Sequence, residues 1–101
     1  MIESVRFDWD PGKAEANLRK HGISFELARR TFADPFAVLE QDRIEDGEVR
    51  WQTMGLAGGL MLVVVAHTVR DEVDVEVVRI ISARPALKHE RKRYENEARP
   101  F

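Results

Sequence analysis

The sequence predicts an α+β fold: one antiparallel β-sheet with a two-helix N-terminal hairpin on one face, followed by a C-terminal helix. Three observations lead there. Two helix-start signals, Asp10-Pro11 and Ser24-Phe25, fall within the first 35 residues. Residues 36–82 are dominated by β-type segments separated by short turns. A highly charged helical segment closes the chain. Strands joined by short turns pair antiparallel, and a sheet with one apolar face buries it against helices.

Residues 5–9 (VRFDW) alternate and read as a short strand. Asp10 is the N-cap of a helix over 11–21, with Pro11 at its first position and Gly22 as its C-terminal stop. Ala14, Leu18 and His21 share one face of it. Ser24 caps a second helix over 25–33, with Leu27, Ala28, Thr31 and Phe32 as its buried stripe and Asp34-Pro35 as its end. Strands are then expected over 36–41, 48–56, 60–68 and 73–82, with turns at 42–47, 57–59 and 70–72. Val49, Trp51 and Thr53 fall on one face of the second of these, and Glu48, Arg50 and Gln52 on the other. Alternation fails near Val77-Val78, which predicts a bulge there or burial on both faces. The closing helix, 86–97, has only Leu87, Tyr94 and Ala98 as an apolar seam. A helix so polar docks loosely or is completed by a partner.

The chain has 101 residues, 44% of them hydrophobic and 34% charged. That is the composition of one folded domain, read as spanning 1–101. It has no cysteine, which excludes a disulfide scaffold, a thiolate metal site and a cysteine nucleophile, and fits a reducing cytoplasm. The longest apolar run, 60–66, is far short of the ~20 residues that span a bilayer. The N-terminus lacks the apolar stretch of a signal peptide. Net charge is −2, but it is unevenly placed. Arg79, Arg84, Lys88, Arg91, Lys92 and Arg93 cluster late in the chain, while acids gather at 34–48 and 71–76. Such a molecule can present one basic surface while near-neutral overall.

No Gly-rich phosphate loop, HExxH motif or nucleophile elbow is present. His21, His67 and His89 lack metal-ligand spacing. What remains is a kit of cations, carboxylates and histidines suited to phosphate chemistry. RNA cleavage by side chains alone needs a base for the 2′-OH, an acid for the leaving 5′-oxygen and cations for the charge developing on phosphorus. Glu48 and Arg50, at i and i+2, can pair a base with a phosphate clamp. Their bland reading is a solvent-face ion pair. Lys20 closes the first helix, where a cation also suits the helix dipole. Arg79 and Arg84 flank an apolar strand end and each needs a carboxylate, solvent or an anion. Ser82 shares a face with Arg84. His67 reads first as a core-edge histidine, Tyr94 as packing with its hydroxyl wet, and Trp9 and Trp51 as core.

The stretch Phe7-Asp8-Trp9-Asp10, Lys13, Asn17, Lys20-His21-Gly22, Ser24-Phe25, Ala28, Phe32 and Asp34-Pro35 resembles the opening of the BrnT toxins. Glu48-x-Arg50, Gly55, the run from Arg79 to Arg84, and Glu90-Arg91-x-x-Tyr94 resemble the rest of that pattern. The resemblance implies a RelE-like fold and a ribonuclease toxin of a type II toxin–antitoxin system. It implies neutralisation by a BrnA antitoxin with a ribbon-helix-helix domain, which reads operator DNA. The implied active-site positions are Lys20, Glu48, Arg50, Arg79 and Arg84, with Ser82 and His67 beside them: Glu48 or Lys20 is expected as the base, the three arginines as holders of phosphate, and His67 as the first candidate for the acid. Lys88, Arg91, Lys92 and Arg93 are expected to bind RNA, with no cofactor, metal or membrane involved. The alternative is an RNA-binding or protein-interaction domain without turnover.

Overall fold

The computed structural model describes residues 4–98, with side chains through Glu97. The expected Ala98 contribution to the last helix's seam therefore lies outside the described side chains. The elements run β1 (Ser4–Asp8), α1 (Pro11–His21), α2 (Phe25–Arg29) continued by a 3₁₀ turn (Arg30–Ala33), β2 (Val38–Glu45), β3 (Glu48–Ala57), β4 (Met61–Glu72), β5 (Val75–Pro85) and α3 (Lys88–Ala98). The sheet order is β1-β5-β4-β3-β2.

The cap chemistry is where the sequence placed it. Asp10 accepts a hydrogen bond from the Lys13 N–H (3.1 Å), and Ser24 Oγ accepts one from Leu27 (3.0 Å). Gly22 adopts φ +71° and donates its N–H to the Leu18 carbonyl (2.8 Å). The last turn of the second helix tightens to 3₁₀ geometry before Asp34.

β2 to β5 form the expected antiparallel meander, but β1 pairs parallel to β5, from Ser4↔Val75 to Asp8↔Arg79. The sheet is thus mixed rather than wholly antiparallel. No hairpin joins β1 to its neighbour, so turn chemistry held no information about its direction. Several strand ends also differ from those expected, because the β2–β3 turn is tighter than its polar stretch suggested and the β4–β5 turn lies further along the chain than 70–72. Asp46-Gly47, with φ 53° and 77°, closes β2–β3 in two residues, the left-handed pair that matches sheet twist. Val73-Asp74 closes β4–β5.

Val77 and Val78 are both buried, so the broken alternation there reflects burial on both faces; the bulge of β5 lies further on, at Ile81, where Ser82 pairs with Ala66 and Ile80 with the next residue of β4, His67. This extra residue matters. Arg79 and Ser82 are three apart and would face opposite ways on a regular strand; the bulge puts both on one face.

The helix pair covers one face, with Ile23, Phe25 and Ala28 packed on Val63, Val65, Ile80 and Ala83. On the other face α3 lays Tyr94 against Met54, Leu62 and Val64. The first helix departs from its expected face: Leu18 is half exposed and Asn17 is buried. β1 pairs no further than Arg79, so the β5 edge beyond it needs backbone partners. Asn17 donates to the Ala83 carbonyl (2.9 Å) and accepts from the Ala83 N–H (3.0 Å), serving as a strand partner made of one side chain.

Candidate nucleic-acid interface

Cross-strand register arranges the face opposite the helix pair in rows, because directly paired residues share a face. The first row, Val38-Met54-Val64-Arg84, lies next to α3. The second is Glu40-Gln52-Ala66-Ser82. In the third, Asp8, Arg79 and Thr68 pair in sequence, and Arg50 follows on β3 beside Thr68. The fourth holds Arg6, Val77 and Arg70. At ~4.8 Å between strands, the backbones of Arg50 and Arg79 stand about 10 Å apart with Thr68 between them.

The two arginines differ in readiness. The Arg50 side chain is 20% exposed, its Nε is 3.9 Å from Glu45 and makes no hydrogen bond. Arg79 holds Asp8 at 2.6 Å on a half-exposed surface. Arg6 and Arg70 share Glu72 at 3.1 Å each, and their hydrogen bonds, Arg70 first, hold Glu72 below its ordinary value. Glu48 is exposed where β3 leaves its turn. Lys20 stands in a cleft between α1 and the β5 edge that also includes Lys13, His21 and Ser82. Fold and register thus bring Glu48, Arg50, Arg79 and Ser82 to one face, with Lys20 at its border.

Two expected residues stand apart. His67 is on the helix-bearing face, 1% exposed, with Phe32 edge-on at 4.9 Å and Thr53 Oγ1 2.7 Å from its Nε2. Burial drives its pKa down to about 4, so it is neutral at pH 7, and the sheet separates it from the arginines. Arg84 makes two parallel 2.8 Å bonds to Glu90. Glu90 also accepts the Leu87 N–H at 2.8 Å, capping the start of α3. The Arg84 hydrogen bonds pull Glu90 down to about 2, and Arg84 is raised in return.

Along α3, Lys88, Arg91 and Lys92 are exposed, while Arg93 pairs with Glu40 (2.9 Å) and Glu97 (2.8 Å). The Tyr94 hydroxyl is not wet: it donates to Asp34, which also accepts the Leu56 and Phe36 N–H groups. Burial and then the Asp34 bond push Tyr94 up to about 12. Burial alone would raise Asp34, but these three hydrogen bonds outweigh it and leave the carboxyl low.

Sequence reasoning missed Thr68, Asp8, Arg6 and Arg70. The available signal for Arg70 was strand parity beyond residue 68, which the misplaced turn hid; Thr68 lay inside the expected strand, on the face opposite His67. Among the described residues no cluster of three or more His, Asp or Glu side chains could hold a metal ion.

The chain matches the family model described as ribonuclease toxin, BrnT, of type II toxin-antitoxin system, over residues 9–90. No curated protein matches the sequence. Among solved structures it is similar to the Brucella abortus ribonuclease toxin BrnT, with a TM-score of 0.65 and 22% identity. That alignment covers 83% of this chain and 99% of the other, and establishes likeness of fold.

Proposed function

Given that the chain belongs to the BrnT family of ribonuclease toxins, we propose that it is a metal-independent endoribonuclease whose open sheet face receives the RNA. The observation that carries this reading is the placement of Arg79, paired with Thr68, and of Arg50, next along β3 from the Trp51–His67 pair, on the sheet face opposite the helix pair. A guanidinium offers two parallel donors to phosphate oxygens and keeps its charge throughout. Arg50, which among the described residues has no carboxylate nearer than Glu45 at 3.9 Å, is the first clamp. Arg79 exchanges the Asp8 carboxylate for phosphate. Glu48, on the same strand face as Arg50, takes the proton from the 2′-OH as its oxygen bonds to phosphorus. The P–O5′ bond breaks, and Lys20 at the Ser82 edge supplies the proton that O5′ gains. A 2′,3′-cyclic phosphate and a 5′-OH end result. In this reading Arg84 positions α3 through Glu90, and His67 supports the core.

The exposed cations of α3 extend the interface for RNA. They also suit an acidic segment of a BrnA-like ribbon-helix-helix antitoxin, which would inhibit by covering the same charges. Operator DNA is then read through the antitoxin.

The test is turnover. The purified chain is expected to cleave RNA in EDTA and to leave DNA of the same sequence intact, because DNA lacks the attacking 2′-OH. Cleavage that stops on chelation and returns with a divalent ion overturns the chemistry. RNA binding with no cleavage under either condition replaces it with the non-catalytic reading.

A further inference from the structure

The helix-bearing face is only partly covered. Beyond Phe32 an apolar groove of about 480 Å³ remains, lined by Leu39, Val49, Trp51 and Val69, with Thr53 and His67 buried at its floor. Leu39 is 59% exposed. A register shift in β2 brings Ile44 opposite Val49, so Ile44, 65% exposed, extends the same surface. His67 Nδ1, although buried, has no hydrogen-bond partner.

The rim of this groove is acidic. Glu76 lines it, Asp71 pairs with Glu76 across β4–β5 and so shares its face, and Asp74 stands in the turn between them. None of the three forms an ion pair among the described residues, whereas Asp8, Glu40, Glu45, Glu72 and Glu90 each meet an arginine. Like charges directly opposite on neighbouring strands repel, so a cation placed between Asp71 and Glu76 is favoured. RNA phosphate is disfavoured there for the same reason. A second copy docked by a two-fold axis would bring the same unpaired carboxylates together.

We infer that this groove docks an amphipathic segment of a partner protein that carries lysine or arginine beside its apolar residues. The apolar residues cover Trp51, Leu39 and Ile44, and the cations meet Asp71 and Glu76. The groove lies across the sheet from the arginine face, so the inference stands independently of the ribonuclease chemistry.

The probes are two synthetic 14-residue amphipathic helices, one of leucine and lysine, the other of leucine and glutamate. Binding is followed by Trp51 fluorescence in a Trp9→Phe background and by calorimetry, with circular dichroism checking the fold. The lysine peptide is expected to bind and shift Trp51 emission, and the glutamate peptide not. The doubly reversed chain, Asp71→Lys with Glu76→Lys, is expected to weaken the lysine peptide by roughly 3- to 10-fold and to accept the glutamate peptide. Leu39→Glu, at an exposed position that folding tolerates, is expected to abolish binding. Failure of both peptides to bind overturns the inference, as does equal binding of both that is unaffected by charge reversal. Concentration-dependent dimerisation blocked by Leu39→Glu would assign the face to a second copy and overturn it as well.

Discussion

Replacing Glu90 by glutamine tests whether Arg84 is an anchor of α3 or part of the cleavage chemistry. The Glu90 side chain is 16% exposed and accepts two 2.8 Å bonds from Arg84 and one from the Leu87 N–H. Its pKa falls from 4.5 to about 2, caused first by the Arg84 hydrogen bonds. At about 1.4 kcal/mol for each tenfold change in proton affinity, this corresponds to about 3 kcal/mol. Glutamine keeps part of the hydrogen bonding, so Glu90→Gln is expected to lose about 2–3 kcal/mol at pH 7. That lowers the melting midpoint by roughly 10–20 °C for a chain of this size. The pH dependence has a definite sign. A depressed carboxyl contributes fully above its unfolded value of 4.5 and loses that contribution as pH falls through the folded value. Urea unfolding from pH 7 down to pH 2 should therefore show parent and variant converging at the acid end. Arg84→Ala should lose comparable stability. A gap that stays constant with pH would refute the ion-pair argument. So would an Arg84→Ala chain that keeps full stability yet no longer cleaves RNA, which would return Arg84 to the active site.

Four further outcomes are expected. Arg50→Ala should reduce RNA cleavage by about 10²- to 10³-fold with the fold intact, and Arg50→Lys should rescue little, because an ammonium lacks the planar fork; normal cleavage by both variants in single-turnover assays would place the site elsewhere. Reversing Lys88, Arg91 and Lys92 to Glu should weaken RNA and antitoxin binding in parallel and flatten the salt dependence of association, read by surface plasmon resonance. His67 stays neutral in the folded chain down to about 4 while the unfolded chain takes up a proton near 6.5, so stability should fall as pH drops between those values, by up to about 1.4 kcal/mol per pH unit; His67→Gln should remove that slope in urea unfolding without adding a limb to the pH–rate profile. Gly55→Ala places a Cβ 3.1 Å from the Thr31 carbonyl and from Asp34 Oδ2, and should cost about 1–3 kcal/mol by thermal melting, together with weaker docking of Tyr94.

Local chemistry determined much of this protein from sequence alone. Asp10, Pro11, Gly22 and Ser24 set the helix ends because capping is decided within a few residues. Strand alternation put Arg50 and Glu48 on the face opposite Trp51, since parity is a property of the strand itself. The family was also legible, because it rests on the order and spacing of residues, and the match over 9–90 bears it out. The tertiary structure decided what depends on partners distant in the chain. Asn17 turns inward for a strand edge 66 residues away, and Tyr94 gives its hydroxyl to Asp34 across 60 residues. Arg84 could equally have met solvent, a ligand or a carboxylate; Glu90 became its partner once α3 folded back over the sheet. The Ile81 bulge brought Arg79 and Ser82 together, a matter of pairing register that one strand's sequence does not contain. His67 carries a side chain that would suit either face of the site, and the packing of Phe32 over it buried it away from the arginines. Residue type limits what a group can do, but its protonation and its neighbours are set by desolvation and contact, which exist only in the folded chain.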